Sequence, residues 1–519
     1  MNGDDMKVVL DGKTLSTLEV LMVAKSQASV EIANESWIGI EHSRAVVERI
    51  LSDDETVYGI NTGFGALANT RISSDEMVQL QNNLIRSHAC ALGETMSIEQ
   101  TRAMMVIRAN SLAKGCSGIQ RQTLEQIILY LNEGITPVIP RIGSLGASGD
   151  LAPLSHMALT LIGEGEVWQD GQKIPSSTAL LERGLIAIEL GAKDGLSLIN
   201  GTSQMCAFLS FSERILGDLL VMADLVACMS MEARGCSIMP MNHKVHQSRP
   251  HTGQSLVARR IHTILANSPI VRAHRNSTRV QDPYSFRCIP QVHGAVLQSF
   301  NSLRRTLEIE INSATDNPLI FPDIRNPGPH EVISQGNFHG EVLALAADSM
   351  SLAIFEIASI SERRIDQILD PARSGLPPFL APNSGLESGM MIVQYVAAAS
   401  LGELNGHSSP RTSFSIPTSA GQEDHVSMGA TASSNLLQAC SHLARVIACE
   451  LLIAGEALRY TEEEPANHVL SLHKLLRNVA APLTGDRSTA KELEAISECL
   501  MDGSWLARIE AECGRLPRD

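Results

Sequence analysis

The chain has 519 residues, of which 44% are apolar and 19% charged, a composition that fits a well-packed globular protein and excludes disorder. Its net charge of −16 and its 3% of aromatics disfavour nucleic acid and anionic membrane as partners. Its 10 cysteines are scattered, with no C-x-x-C and no zinc spacing, so they read as reduced thiols of a cytoplasmic protein.

The opening MNGDDMKVVL carries acids where a secretory signal has a basic region and an apolar core. KVVL before the turn Asp11–Gly12 predicts a short strand. Ser97 with Gln100 forms a capping-box pattern. It opens a helix with Ala103, Val106, Ile107 and Ala113 on one face and a stop near Gly115. QTLEQIILYLNEG predicts a second helix, with Leu124, Ile127, Ile128 and Leu131 together, ending at Gly134. The prolines of TPVIP (136–140) force that stretch to be extended.

From about residue 200 the helices lengthen. Spans near 202–233, 291–312, 339–368, 386–405 and 427–460 are apolar almost all round and need partners on every side. A helix of ~30 residues is about 45 Å long, so these spans predict an elongated bundle. Asp218 and Asp224 inside 215–231 argue for a buried helix there and against a membrane span. The polar, Gly/Pro-rich loops at 243–255, 270–290, 312–337, 371–389 and 406–426 are where function is expected to ride. The last sixty residues predict polar amphipathic helix with no assignable chemistry.

One stretch, GSLGASGDLAPLSH (143–156), concentrates small residues without a nucleophile–base pair, phosphate loop or metal spacing. Its Ala147-Ser148-Gly149 has a chemical use. Gly149 has no side chain, so its amide nitrogen can approach the Ala147 carbonyl and close a five-membered ring. Loss of one water gives an imidazolone, and loss of the Ser148 hydroxyl as a second gives an exocyclic methylidene. That is an electrophile, which ordinary side chains hardly supply. The plain alternative is a Gly-rich turn leading into a helix capped by Asp150, with Pro153 in its first turn.

The wider string resembles the signature of the aromatic amino acid lyase family: the histidine, phenylalanine and tyrosine ammonia-lyases and the related 2,3-aminomutases. YGINTGFG (58–65), LINGTS (198–203), QDPYSFRC (281–288), NSATDNPL (312–319), GNFHG (336–340), SERRID (361–366), SGLPPFL (374–380) and SAGQEDHVSMG (419–429) resemble further family blocks, in family order. The resemblance implies a mainly all-α fold. Residues 1–200 would form a mixed N-terminal domain with the base loop and the electrophile, and 201–519 the long-helix bundle and C-terminal helices. It implies that Ala147-Ser148-Gly149 forms 4-methylideneimidazol-5-one (MIO) autocatalytically, with no dissociable cofactor and no metal. It also implies a homotetramer with each site assembled from three chains.

Roles follow from the same resemblance. Tyr58 stands where the family's mobile loop carries the base for the substrate β-proton. A phenol has a reference pKa of about 10, so it needs positive charge or hydrogen bonding to act near neutrality. Arg287 resembles the residue that grips the substrate carboxylate, which a guanidinium does bidentately. Tyr284 and Gln281 resemble polar partners of the substrate, Asn200 a hydrogen-bond partner of the MIO ring, and Phe338 the aromatic packed against it. Asp150 resembles a residue linked to MIO maturation, and His156 and His339 read as structural.

Two positions bear on the substrate. His88 in NLIRSHACALG stands at the ring-reading position, where histidine and tyrosine enzymes both carry an imidazole. Glu423 stands where the histidine enzymes carry a glutamate, and a carboxylate suits an imidazole N–H or an imidazolium. Met391 in SGMMIVQ also resembles the histidine enzymes, whereas NGTS and GEALRY (455–460) depart from them. The expected reaction is elimination of ammonia from L-histidine to trans-urocanate. The alternatives are a tyrosine or phenylalanine ammonia-lyase, a 2,3-aminomutase on the same site, and a helical scaffold without catalysis.

Overall fold

The computed structural model describes residues 6–52, 56–57, 59–62, 72–73, 76–274 and 280–518. Helix accounts for 62% of the chain, as the long apolar spans predict. The capping box is present: the Ser97 hydroxyl accepts from Gln100 N at 3.1 Å, and the Gln100 side chain accepts from Ser97 N. It starts α1 (Ile98–Ala113). The expected single apolar face is an underestimate, because every residue of α1 from Thr101 to Ala113 is buried. Its polar members tie the core together: Arg102 donates to the Val23 carbonyl and Asn110 to the Ile311 carbonyl.

Further along run α2 (Leu151–Leu161), α3 (Ser203–Arg234), α4 (Ile289–Glu310), α5 (Glu341–Leu369), α6 (Met391–His407) and α7 (Gly429–Ala457). The helix α6 starts later than its apolar pattern suggests. Gly385 (φ +101°) and Gly389 (φ +57°) hold left-handed backbone that an α-helix cannot include. The sheets are small. Lys7–Leu10 pairs in parallel with Ser29–Ile32, and Leu92–Thr95 runs antiparallel to Pro140–Ile142. Thr136–Pro137, Glu166–Gln169 and Gln172–Pro175 make a three-stranded sheet.

The chain forms two compact units. The first comprises 1–211, 304–347 and 411–434; the second comprises 212–303, 348–410 and 435–519. A core cluster of the first includes Val47, Ile50, Ile60, Ala192 and Ile320. In the second, Glu450 on α7 is buried and accepts from Ser230 on α3 at 2.6 Å, from Ser361 on α5 at 2.5 Å and from Arg364 through both oxygens. One satisfied carboxylate thus fixes the register of three apolar helices, which ridge packing alone leaves loose.

Glu341–Leu369 and Gly429–Tyr460 are long and apolar enough to cross a membrane by length and composition. Core helices of folded proteins pass the same test, and 72% of the apolar window of the second is buried within the chain. On α6, Ile392 (53% exposed), Tyr395 (62%) and Val396 (41%) form an apolar stripe at helical spacing that the chain leaves uncovered.

Candidate active site

The strand Pro140–Ile142 leads into the small-residue turn, and α2 leads out of it. Ser148 (φ +54°) and Gly149 (φ +79°) are both left-handed, so the turn curls back on itself. Gly149 is required twice over. Its φ disfavours a side chain, and a Cβ there would collide with the backbone of Gly201. A Cβ at Gly201 would in turn collide with the Arg108 guanidinium. The turn is also held from the outside. Gly146 O accepts from Gly340 N at 2.8 Å and from Ser427 Oγ at 2.7 Å, and Leu145 O accepts from Met428 N at 2.8 Å. The small residues therefore let four backbone segments abut.

Asp150 occupies the N-cap position of α2 but does not cap it. Its buried carboxylate instead accepts from Ser144 Oγ at 2.7 Å and from the Gln204 and Met205 amides at 2.7 and 3.1 Å. It thus caps α3, whose first-turn amides have no intrahelical acceptor. Burial pushes its pKa up to about 6 against those hydrogen bonds.

Asn200 Nδ2 donates to the Ser148 carbonyl at 2.8 Å, while its buried Oδ1 has no partner among the described residues. Asn200 is itself held, because Arg108 donates to its carbonyl at 2.8 Å. Arg108 is fully buried. Burial lowers its pKa, and the charges of Asp316 and Asp150 act against that. Lys193, also fully buried, pairs with Asp316 at 2.8 Å. These buried charges are functional supports that sequence reasoning missed. The available signal was an arginine in the middle of the apolar run AMMVIRANSLA. A curled 148–149 backbone, a side-chain-free residue 149 and an unpaired Asn200 oxygen all fit a ring built from residues 147–149.

On the recognition side, Ser148 Oγ donates to Glu423 Oε1 at 3.1 Å, and Thr418 Oγ1 donates to Glu423 Oε2 at 2.8 Å. His88 is half-buried with Nδ1 2.9 Å from Ser87 Oγ. Burial lowers its pKa, and the Glu423 charge pulls the other way, which places the two groups in one electrostatic neighbourhood. Ala91, three residues after His88, lies beside Gly143. Phe338 is half-buried, two residues before the Gly340 amide that binds the turn. Ala147, Ser148, Gly149, Asn200, His88, Phe338 and Glu423 therefore all belong to the first unit. Tyr58 lies outside the described residues.

Gln281, Tyr284, Arg287 and Met391 belong to the second unit. Tyr284 is 71% exposed, and the Arg287 guanidinium stacks on its ring at 4.3 Å. Arg287 Nε is buried without a hydrogen-bond partner among the described residues. Gln281 and Arg287 line a cavity of about 870 Å³, ample for an amino acid. Met391 opens α6.

The family model for aromatic amino acid lyase matches residues 15–478. The chain belongs to the aromatic amino acid lyase family. A histidine ammonia-lyase of Myxococcus xanthus is 43% identical over 506 residues, covering 97% of this chain and 99% of that protein. The crystal structure of histidine ammonia-lyase from Trypanosoma cruzi superposes with a TM-score of 0.89 at 36% identity, covering 98% of this chain and 95% of that one. Tyrosine aminomutase from Streptomyces globisporus gives 0.91 at 34% identity, covering 98% and 99%. As an aromatic amino acid lyase, the protein is a carbon–nitrogen ammonia-lyase. Its helical architecture is that of these neighbours.

Proposed function

We propose that this aromatic amino acid lyase eliminates ammonia from L-histidine to give trans-urocanate. The observation that carries the substrate assignment is the Glu423 carboxylate, hydrogen-bonded to Ser148 Oγ at 3.1 Å and electrostatically coupled to His88. It puts a negative acceptor beside the turn, where an imidazole ring needs one and a phenyl or phenol ring does not. The relatives from Myxococcus xanthus and Trypanosoma cruzi, both named histidine ammonia-lyase, support the same substrate.

The group implied here is MIO, formed from Ala147-Ser148-Gly149, and it supplies an electrophile for the substrate amine. The chain's own residues do the rest. The Asn200 carboxamide fixes the Ser148 carbonyl, with its Oδ1 left to accept a further hydrogen bond. Glu423 and His88 bind and orient the imidazole. The Arg287 guanidinium, flattened on Tyr284, takes the substrate carboxylate, with Gln281 as a polar neighbour. Phe338 and Met391 supply apolar walls. Tyr58 removes the β-proton; the Cα–N bond breaks, its electron pair leaves with nitrogen, and the Cα–Cβ double bond forms.

The remaining part of the reading is a cytoplasmic homotetramer whose sites are shared between chains, and the uncovered stripe of α6 supports its self-association. Parallel absorbance assays with L-histidine, L-tyrosine and L-phenylalanine test the substrate. Urocanate from histidine alone is expected, and coumarate from tyrosine would transfer the assignment to a tyrosine enzyme. Light scattering tests the tetramer, which a monomer in solution would exclude.

A further inference from the structure

The first unit holds a second cluster of chemically capable side chains, and the elimination reaction uses none of them. His339, Glu341 and His425 each offer one ligand atom, and these atoms lie within 4.8 Å of one another. The His339 and His425 rings are stacked, with centroids 5.7 Å apart and 28° between planes. Glu341 Oε2 is buried with no hydrogen-bond partner among the described residues, although the residue as a whole is only half-buried. A carboxylate oxygen shut off from water and left unpaired is costly, so its position calls for a cation or a donor.

His339 is further prepared. Its Nε2 lies 3.2 Å from the His425 carbonyl oxygen. A carbonyl only accepts, so Nε2 carries the proton and the neutral ring keeps its lone pair on Nδ1. Metal-bound histidines commonly donate their second nitrogen to a carbonyl in this way.

We propose that His339, Glu341 and His425 form a binding site for a divalent transition-metal ion, with zinc and cobalt as the natural probes. Two imidazoles and one carboxylate are a borderline donor set that such ions take in preference to Mg²⁺ or Ca²⁺. Ligands about 2.1 Å from one ion are at most about 4 Å apart, so the widest separation closes by about an ångström on binding. His425 can supply that movement, because it is exposed and lies in a loop. Three protein ligands leave at least one position for water. The ion takes no part in the elimination. It ties the segment after Phe338 to the segment after Glu423, and the first of these already binds the Gly146 carbonyl through Gly340 N.

The test uses the full-length protein, stripped with a chelator and titrated calorimetrically with Zn²⁺ and Co²⁺. One ion per chain is expected, with a raised Tm in excess metal. Affinity should fall about tenfold or more in each of His339→Gln and His425→Gln. X-ray absorption at the zinc edge of the unmutated protein reads the shell directly and needs no variant to fold; it should show two imidazole nitrogens with oxygen. No binding at micromolar metal would overturn the site. So would affinity unchanged in the double variant, or a sulfur-dominated shell, which would put the ion on a thiol such as the exposed Cys90.

Discussion

Residues 143–150 of the first unit and residues 281–291 of the second are built in opposite ways. In the first stretch the turn is crowded: Gly146, Gly149 and Asp150 are buried, and the Leu145 and Gly146 carbonyls and the Asp150 carboxylate are all hydrogen-bonded. In the second, Tyr284 is 71% exposed, and Arg287 has a buried Nε with no partner among the described residues. Bringing one backbone amide against a carbonyl needs a scaffold that permits no alternative conformation. Gripping a carboxylate needs the reverse, donors kept unpaired until the anion arrives. That costs about 1–3 kcal/mol per unsatisfied group before binding and is offset on binding. On the proposed reading, one region serves shape and the other reception.

The largest expected effect breaks the first region alone. Ser148→Ala removes the hydroxyl whose loss makes the methylidene. Activity should drop by about 10³-fold or more, and intact mass should be at most one water short, against two in the unmutated chain, because the second water can come only from the Ser148 hydroxyl. Gly149→Ala, which has no room for its Cβ, should show the uncyclised mass. A two-water deficit retained in Ser148→Ala would remove the turn from the chemistry.

The second region should respond in binding. Arg287→Ala is expected to lower kcat/KM by about 10²-fold, and Arg287→Lys to recover only part of it, since an ammonium cannot hold a carboxylate bidentately. Full recovery by lysine would reduce Arg287 to a point charge. Glu423→Gln should cost about tenfold or more in kcat/KM for L-histidine, with weaker or no loss for an L-tyrosine analogue. Equal losses for both would separate Glu423 from ring recognition.

The smallest effect concerns Asp150. Its pKa is raised to about 6, as is that of Asp194, and Glu232 reaches about 7; burial is the main cause in each. The folded chain keeps protons that an unfolded chain releases near pH 4. These three groups therefore contribute stability that is lost as pH rises from about 4 to about 7. In Asp150→Asn the slope between about pH 4 and 6 should be shallower by about 1 kcal/mol per pH unit, read from urea midpoints at each pH. An unchanged slope would mean that Asp150 is ionised throughout.

Periodicity and punctuation made the long helices legible. Residues 202–233 became Ser203–Arg234, and the Ser97–Gln100 pair capped its helix. Both are local signals, set by a 3.6-residue repeat and by side chains reaching their own first turn. The internal charges were not legible. Arg108 and Lys193 look like ordinary members of an apolar helix and a loop, and only contacts far along the chain give them the Asn200 carbonyl and Asp316 to hold. Asp150 shows the same limit within one residue. Its place before a helix suggests a cap for α2, yet its carboxylate turns to the amides of α3.

By itself, then, the sequence determined a mainly helical chain with a cyclisable Ala147-Ser148-Gly149, because helical period and backbone chemistry are written in adjacent residues, while its ordered blocks carried the resemblance to the lyases. Tertiary structure alone decided that segments 1–211, 304–347 and 411–434 share one unit. It alone put Glu423 on Ser148 and His339 beside His425. Those pairings join residues 275 and 86 positions apart along the chain, and no local pattern encodes either.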